Sequence, residues 1–522
     1  MWMVPRSRSL ILGGAVGVFL VTGVLPLVYM IVTSARDVPF GVLLLDERQR
    51  ALVYNSGLMA GATSVWAALI GVPLGFGLAR VPMPRRAMVR VALATPVLLP
   101  PYVVALAWTY IGGSAGFVAA LIGRDVFSDW TYSLPAAAVV LALVYYPIVM
   151  LATEAALRQM DTHLEEAGIV AAPPGRVLVR ITMPLVAPAI GGAALIVFVL
   201  AISEFGVPAL LRVRVYTTEV FTAFAALFDF ARATALTLPL LVLAAGGSAV
   251  AATLLRERVI AGQRRQNATD VLDLARWRVL IRLLSVATII TALVIPIVVL
   301  LREAAGTSIV GAATASWPSI RISLLLALVG ATLVVLIGAT LGYARARAPS
   351  RIGRVADITW VVLFAVPSTI TGVALIGLWN RPSFPGVVYG TFSMLVLVYL
   401  ARFVPVAALI VAAGVRQIPV SHEEAAAVGG AGWLGTVRSV VVPQIVRAVG
   451  AAWVVAFVFA FGELGASILV SPAGESTLPI RIYTLIANTP SSVVASLALL
   501  QLTVIFLPLA LGALHVMRRS NA

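Results

Sequence analysis

Residues 421–443 read SHEEAAAVGGAGWLGTVRSVVVP, and residues 162–184 read THLEEAGIVAAPPGRVLVRITMP. In the later copy the markers are Glu424-Ala425-Ala426, then Gly430 six residues after the glutamate, then Pro443. In the earlier copy they are Glu165-Glu166-Ala167, Ala171 and Pro184, each 259 residues before its counterpart. Two copies with equal internal spacing are an internal repeat, and the fold has to be built around it.

Each copy lies between long apolar runs. The chain has 522 residues, 61% hydrophobic and 11% charged, with a mean hydropathy of +1.04, so most of it is solvated by lipid. In hydrocarbon only helices and closed barrels satisfy their own backbone, and about 20 apolar residues cross as a helix. Runs of that length lie at about 10–32, 56–79, 91–112, 134–156, 187–210 and 236–255. Six more lie at about 279–301, 320–344, 355–379, 387–413, 445–470 and 494–517. The pattern predicts an all-α integral membrane protein of twelve transmembrane helices, arranged as two parallel six-helix repeats.

The repeats divide the chain into a first half, 1–255, with its loop at 160–184, and a second half, 279–522, with its loop at 417–443. A polar linker, 256–278, joins them. Asn55-Ser56 with Leu74-Gly75-Phe76 matches Ile322-Ser323 with Leu341-Gly342-Tyr343, 267 residues on. Six helices return the chain to its starting side, so the halves run in the same direction. Most of the 37 basic residues fall in alternate loops, which places both termini in the cytoplasm. Arg6 and Arg8 before the first run resemble a signal sequence, but the run is long enough to span and more spans follow, so a retained first helix is expected.

Composition also excludes. The net charge of +16 could suggest nucleic acid, yet the arginines sit in short clusters between apolar runs. The chain has no lysine, so it holds no phosphate-cradling G-x-x-x-x-G-K-[ST] loop. It has no cysteine, and His163, His422 and His515 are scattered, which gives no thiolate or clustered-histidine metal site. An enzyme working inside the bilayer is disfavoured by the absence of clustered cysteine or histidine.

A short helix that docks in a cleft of a soluble partner needs small residues for close approach and a fixed charge for register. Glu424, Ala425 and Ala426 supply both, and Gly430 permits a sharp turn. Pro443 is expected to open the next span, where its missing N–H costs nothing. In the first copy Pro173-Pro174-Gly175 can break the helix in place of the glycine.

These residues resemble the E-A-A-x-x-x-G-x9-I-x-L-P signature of bacterial ABC importer permeases. The resemblance implies cytoplasmic coupling helices in the two repeated loops, two copies of a cytoplasmic ATP-binding subunit, one on each coupling helix, and a substrate-binding receptor outside the membrane. It also implies that ATP and magnesium are used by the partner ATPase, with no cofactor and no catalytic residue on this chain. The less typical first copy leads to the expectation that Glu424 matters more than Glu165. Val366-Pro367, Asn380-Arg381-Pro382, Tyr399-x-x-Arg402-Phe403-x-Pro405 and Ser203-Glu204-Phe205-Gly206 look like the fused two-half permeases of the ferric-iron group. Iron(III) is the first substrate implied; thiamine, aminoethylphosphonate and polyamines are carried by similar permeases. A secondary transporter of the major facilitator type also has two parallel six-helix halves, but it needs no duplicated E-A-A loop.

Glu204 and Glu463 fall within the fifth span of each half, and Arg402 within the tenth span of the chain. A charge at the centre of a bilayer costs about 2.5–3.5 kcal/mol even on insertion scales, so each has a partner or lines a path. The two glutamates admit a translocation role or a structural hydrogen bond, and Arg402 admits an anionic ligand or pairing with Glu463. No metal site is assigned. Pro100-Pro101 and Pro367, each in the third span of its half, are expected to give ordinary proline kinks.

Overall fold

The computed structural model describes residues 6–37, 46–114, 116–122, 124–160, 163–259, 277–348, 350–382 and 384–520. The central part of the linker 256–278 lies outside them. The described residues form helices and short connections, with no strand among them. Ten helices are long and apolar enough to cross a membrane: α1 (Ser9–Ser34), α2 (Glu47–Arg80), α5 (Leu134–Gln159), α7 (Gly175–Ile202), α9 (Phe230–Val250), α10 (Arg278–Ala304), α11 (Trp317–Arg347), α14 (Ser393–Arg416), α16 (Trp433–Gly462) and α18 (Ser491–Pro508). Two bent pairs, α3 (Arg86–Leu98) with α4 (Pro101–Gly112) and α12 (Gly353–Ala365) with α13 (Ser368–Trp379), bring the count to twelve when each pair is one span. Between spans lie α6 (His163–Ala171), α8 (Tyr216–Ala225), α15 (Val420–Val428) and α17 (Leu478–Leu485).

The bends are 91° in the first pair and 96° in the second, far beyond the ordinary proline kink expected from sequence. The chain unwinds fully before each proline-led helix: Leu99 has ψ 133° and Pro367 has ψ 139°. At the first break Leu99 and Pro100 each precede a proline, which forces them out of the helical region; at the second the extended residue is Pro367 itself, ahead of Ser368.

A milder solution recurs four times. The π-helical turns Leu20–Val24, Leu178–Thr182, Ile290–Val294 and Val437–Val441 each stop two residues before a proline: Pro26, Pro184, Pro296 and Pro443. A turn bonded five residues back lets a carbonyl pass over the missing proline N–H to the next donor. Pro443 opens the α-helical stretch Val442–Gly462, as the sequence suggested, and the π turn joins that stretch to the earlier part of α16.

The chain divides into two compact units. One comprises Leu45–Glu219 and Val242–Gly306; the other comprises Met1–Leu44, Val220–Leu241 and Thr307–Ala522. Each unit thus contains the body of one repeat and the first span of the other. In the first, α10 packs on α2, α3 and α4; in the second, α1 packs on α11 and α14.

Within each unit the second span lies directly on the fourth. A Cβ added to Gly71 would stand 2.8 Å from the Tyr146 carbonyl oxygen, and one on Gly342 would stand 2.6 Å from that of Ala408. Gly71-x-x-x-Gly75 and Gly338-x-x-x-Gly342 occupy equivalent places. Lipid tails give no hydrophobic gain for helix association, so close backbone approach through small residues supplies the contact. Ser56 and Ser323, at the start of the same two helices, accept the N–H groups of Tyr216 and Leu478 at 2.9 and 2.6 Å.

The third and fourth spans are joined by ion pairs of opposite polarity. Arg90 on α3 binds Glu154 on α5 at 2.5 Å, with Arg158 also on that carboxylate at 2.7 Å. At the matching position on α12 stands Asp357, which holds Arg416 of α14 at 3.7 Å and Arg345 of α11 at 2.5 Å.

Because each unit draws a span from the other half, the halves expressed from a chain cut between 260 and 276 should co-purify, while either half alone should fail to accumulate. Gly342→Val should reduce folded yield sharply in detergent size-exclusion runs, whereas Gly450→Val, with nothing within 4 Å of its added Cβ, should leave it unchanged.

Candidate functional site: two anchored loop helices

α15 begins after Pro419, with Glu423 in its first turn, where a carboxylate suits the positive end of the helix dipole. It ends because Gly430 takes φ +83°, a left-handed conformation that lets Ala431 N–H close on the Ala426 carbonyl. α6 carries Glu165 and Glu166 in its first turn and stops before Pro173 and Pro174.

The two glutamates of each tandem point in different directions. Glu165 is fully buried, 2.8 Å from Arg80 Nη2 at the end of α2, and its Oε1 accepts the Thr182 hydroxyl at 2.8 Å. Glu423 accepts Arg347 at the end of α11 through Nε at 2.8 Å and Nη2 at 2.5 Å, and the Tyr343 hydroxyl at 2.8 Å. Glu166 and Glu424 are exposed, and Val170 and Val428, further along the same helices, are each 90% exposed. By pairing and burial, Glu165 corresponds to Glu423 and Glu166 to Glu424, an offset of 258. The prolines keep the offset of 259, because the connection after the helix is longer in the second copy, 429–432 against 172–173. Equal spacing therefore holds for the prolines and not for the glutamates.

Of the other residues singled out by sequence, Ala167, Ala171, Ala425, Gly430, Pro184 and Pro443 are exposed and Ala426 is half-buried. His163 Nδ1 lies 3.2 Å from Glu166 on the exposed side, and His422 is exposed. Arg80, Arg347, Thr182 and Tyr343 were not among the sequence candidates. A signal was present: the repeat at Leu74-Gly75-Phe76 and Leu341-Gly342-Tyr343 continues to Arg80 and Arg347 at the same offset of 267.

The intramembrane charges lie deeper in the units. Arg402 Nη1 is 2.6 Å from Glu463 Oε1. Glu463 also accepts the N–H groups of Ala466 and Ser467, at 3.0 and 2.8 Å, and the Ser467 hydroxyl at 2.5 Å, so it closes the chain where α16 ends. Glu204 accepts the Gly206 N–H at 2.9 Å and faces the Tyr145 hydroxyl at 3.4 Å.

Two regions, residues 71–222 and 335–520, match the family of binding-protein-dependent transport system inner membrane components. Each region contains one of the two short helices, α6 and α15. The chain belongs to this family. It is thus a multi-pass permease of a transport system that depends on a binding protein, and the major facilitator alternative is set aside.

The permease is similar to a putative ferric transport system permease protein of Haemophilus influenzae, 23% identical over 457 residues, covering 83% of this chain and 72% of that relative. It is also 23% identical over 446 residues to a ferric transport system permease protein of Actinobacillus pleuropneumoniae, covering 81% of this chain and 65% of that protein. A putative 2-aminoethylphosphonate transport system permease protein of Salmonella typhi is 30% identical over 168 residues, covering 31% of this chain and 58% of its own length.

Removing one partner of a buried ion pair costs about 3–5 kcal/mol by leaving the other uncompensated. Arg402→Met should therefore lower the unfolding midpoint of the detergent-solubilised permease. Adding Glu463→Gln should recover part of the loss, since it removes the uncompensated buried charge, while its single amide oxygen replaces only one of the two acceptors that serve Ala466 and Ser467. Thermal unfolding of the three proteins checks this.

Proposed function

We propose that this chain is the permease subunit of an ATP-driven importer that moves iron(III), delivered by an extracytoplasmic receptor, into the cytoplasm. The observation that carries the reading is the duplicated docking helix, each copy presenting an outward glutamate and an outward valine beside it. An exposed apolar residue next to an exposed carboxylate suits a cleft of a soluble protein that offers a pocket and a cation.

In this reading α6 and α15 each meet one copy of a cytoplasmic ATPase subunit, and both termini lie on that side of the inner membrane. ATP and its magnesium are handled by the ATPase subunits, and closure of their dimer drives alternating access in the permease. Glu166, Ala167, Glu424 and Ala425 form the docking faces, with Ala171, Ala426, Gly430, Pro184 and Pro443 shaping the turns around them. Glu165 then serves from beneath, through Arg80. Iron(III) is preferred because the ferric relatives align over more than four fifths of this chain, whereas the aminoethylphosphonate relative aligns over less than a third.

The test is uptake into membrane vesicles from cells expressing the whole transport system, with radiolabelled ferric citrate as probe. ATP-dependent uptake should be abolished by Glu166→Ala with Glu424→Ala, and the ATPase should no longer co-purify. ATP-dependent uptake that persists with the ATPase still bound would overturn the docking assignment. Uptake of aminoethylphosphonate or thiamine with no uptake of iron would overturn the substrate and leave the docking assignment standing.

A further inference from the structure

The inward glutamates do something that docking alone does not require. In both units the docking helix is fastened to one place, the last turn of the second span, by an arginine-glutamate pair: Arg80 with Glu165 and Arg347 with Glu423. Neighbouring residues on a helix point about 100° apart, so one glutamate of each tandem can face a partner while the other is held from behind. The fastening survives a one-residue slip in the turn that follows it, which shows that the contact, and not the spacing, is what the two copies share.

We propose that Arg80–Glu165 and Arg347–Glu423 are positioning clamps that make each docking helix move as one body with the second span of its unit. This rests on the reading that α6 and α15 meet an ATPase. Without a clamp, displacement of a docking helix would reach the bundle only through the connections at its two ends. With it, the displacement is delivered to α2 or α11, helices of 34 and 31 residues that lie against the fourth span through bare glycines.

The chemistry of the clamps fits positioning better than stabilisation. Arg80 and Glu165 are sealed, with side chains 2% and 0% exposed, yet Arg80 Nε and Nη2 have no aligned hydrogen bond among the described residues. A buried pair so incompletely satisfied is weak support for a fold and still dictates which groups must meet. The second clamp is 13% and 15% exposed and carries more bonds, from Tyr343 to the carboxylate and from Arg347 to the Ile418 carbonyl. The first is therefore a dry clamp that fails when either charge is removed. The second is wetter and tolerates exchange of its charges.

The absence of cysteine from the chain allows a direct test in the assembled transporter. Spin labels at Ala427→Cys on α15 and Leu336→Cys on α11 report the separation of the docking helix from the second span, without ATP and with ATP and vanadate trapped. A separate Val428→Cys variant reports docking through cross-linking to the ATPase. In the wild-type background the label separation should stay unchanged between the two states. Glu423→Gln should make it differ between states while the Val428→Cys cross-link persists, and the exchanged pair Arg347→Glu with Glu423→Arg should restore the constant separation. A separation that changes in the wild-type background as much as in Glu423→Gln overturns the clamp and leaves docking intact. Failure of the exchanged pair to restore it, in a protein that still cross-links, overturns it as well. Loss of the cross-link from the wild-type background overturns the docking reading and the clamp with it.

Discussion

A backbone N–H or C=O in hydrocarbon has no water to turn to, and leaving one unpaired costs several kcal/mol. The irregular places in this permease are those where that demand has been met by other means. Four prolines inside spans are each preceded by a π turn that passes the carbonyls on to later donors. Where α16 ends, Glu463 takes two backbone N–H groups, and Glu204 takes one at the same place in the other repeat. Ser56 and Ser323 receive the N–H groups at the start of the segments returning after the fifth spans. Carboxylates that look in sequence like candidates for a solute path are thus engaged in closing the backbone.

The two repeats meet the same requirements with unequal charges. The ion pair between third and fourth spans runs arginine to glutamate in one unit and aspartate to arginine in the other. A third span placed beside the wrong fourth span would set Arg90 against Arg416, or Asp357 against Glu154, and would leave each pair without its opposite charge. In a chain whose halves share a plan, such inversion distinguishes the correct neighbour from its copy. The clamps differ in the same spirit: one sealed, one hydrated and better bonded. Arg402, present in one repeat only, gives Glu463 an ionic partner where Glu204 has the neutral hydroxyl of Tyr145.

Much of this was legible in the order of residues. Hydropathy located every helix long enough to cross, because apolar length is a property of consecutive residues. The repeat at Glu165 and Glu424 located both loop helices, and Gly430 was recognised as a turn residue. The prolines were recognised as well, but not their consequences: the same residue type gives a π turn at Pro443 and a bend of 96° at Pro367.

The sequence by itself determined the solvent, the helical class, the twofold repetition and the place of the two repeated loops, since each is carried by residues adjacent in the chain or by a pattern repeated along it. Only the tertiary structure decided that Glu165 faces inward to Arg80 while Glu166 faces out, that Glu423 rather than Glu424 is its counterpart, and that the first span of each half joins the unit of the other. These depend on which side chains meet across helices. There a slip of one residue turns a side chain by about 100° and exchanges its partners without changing the composition of the motif.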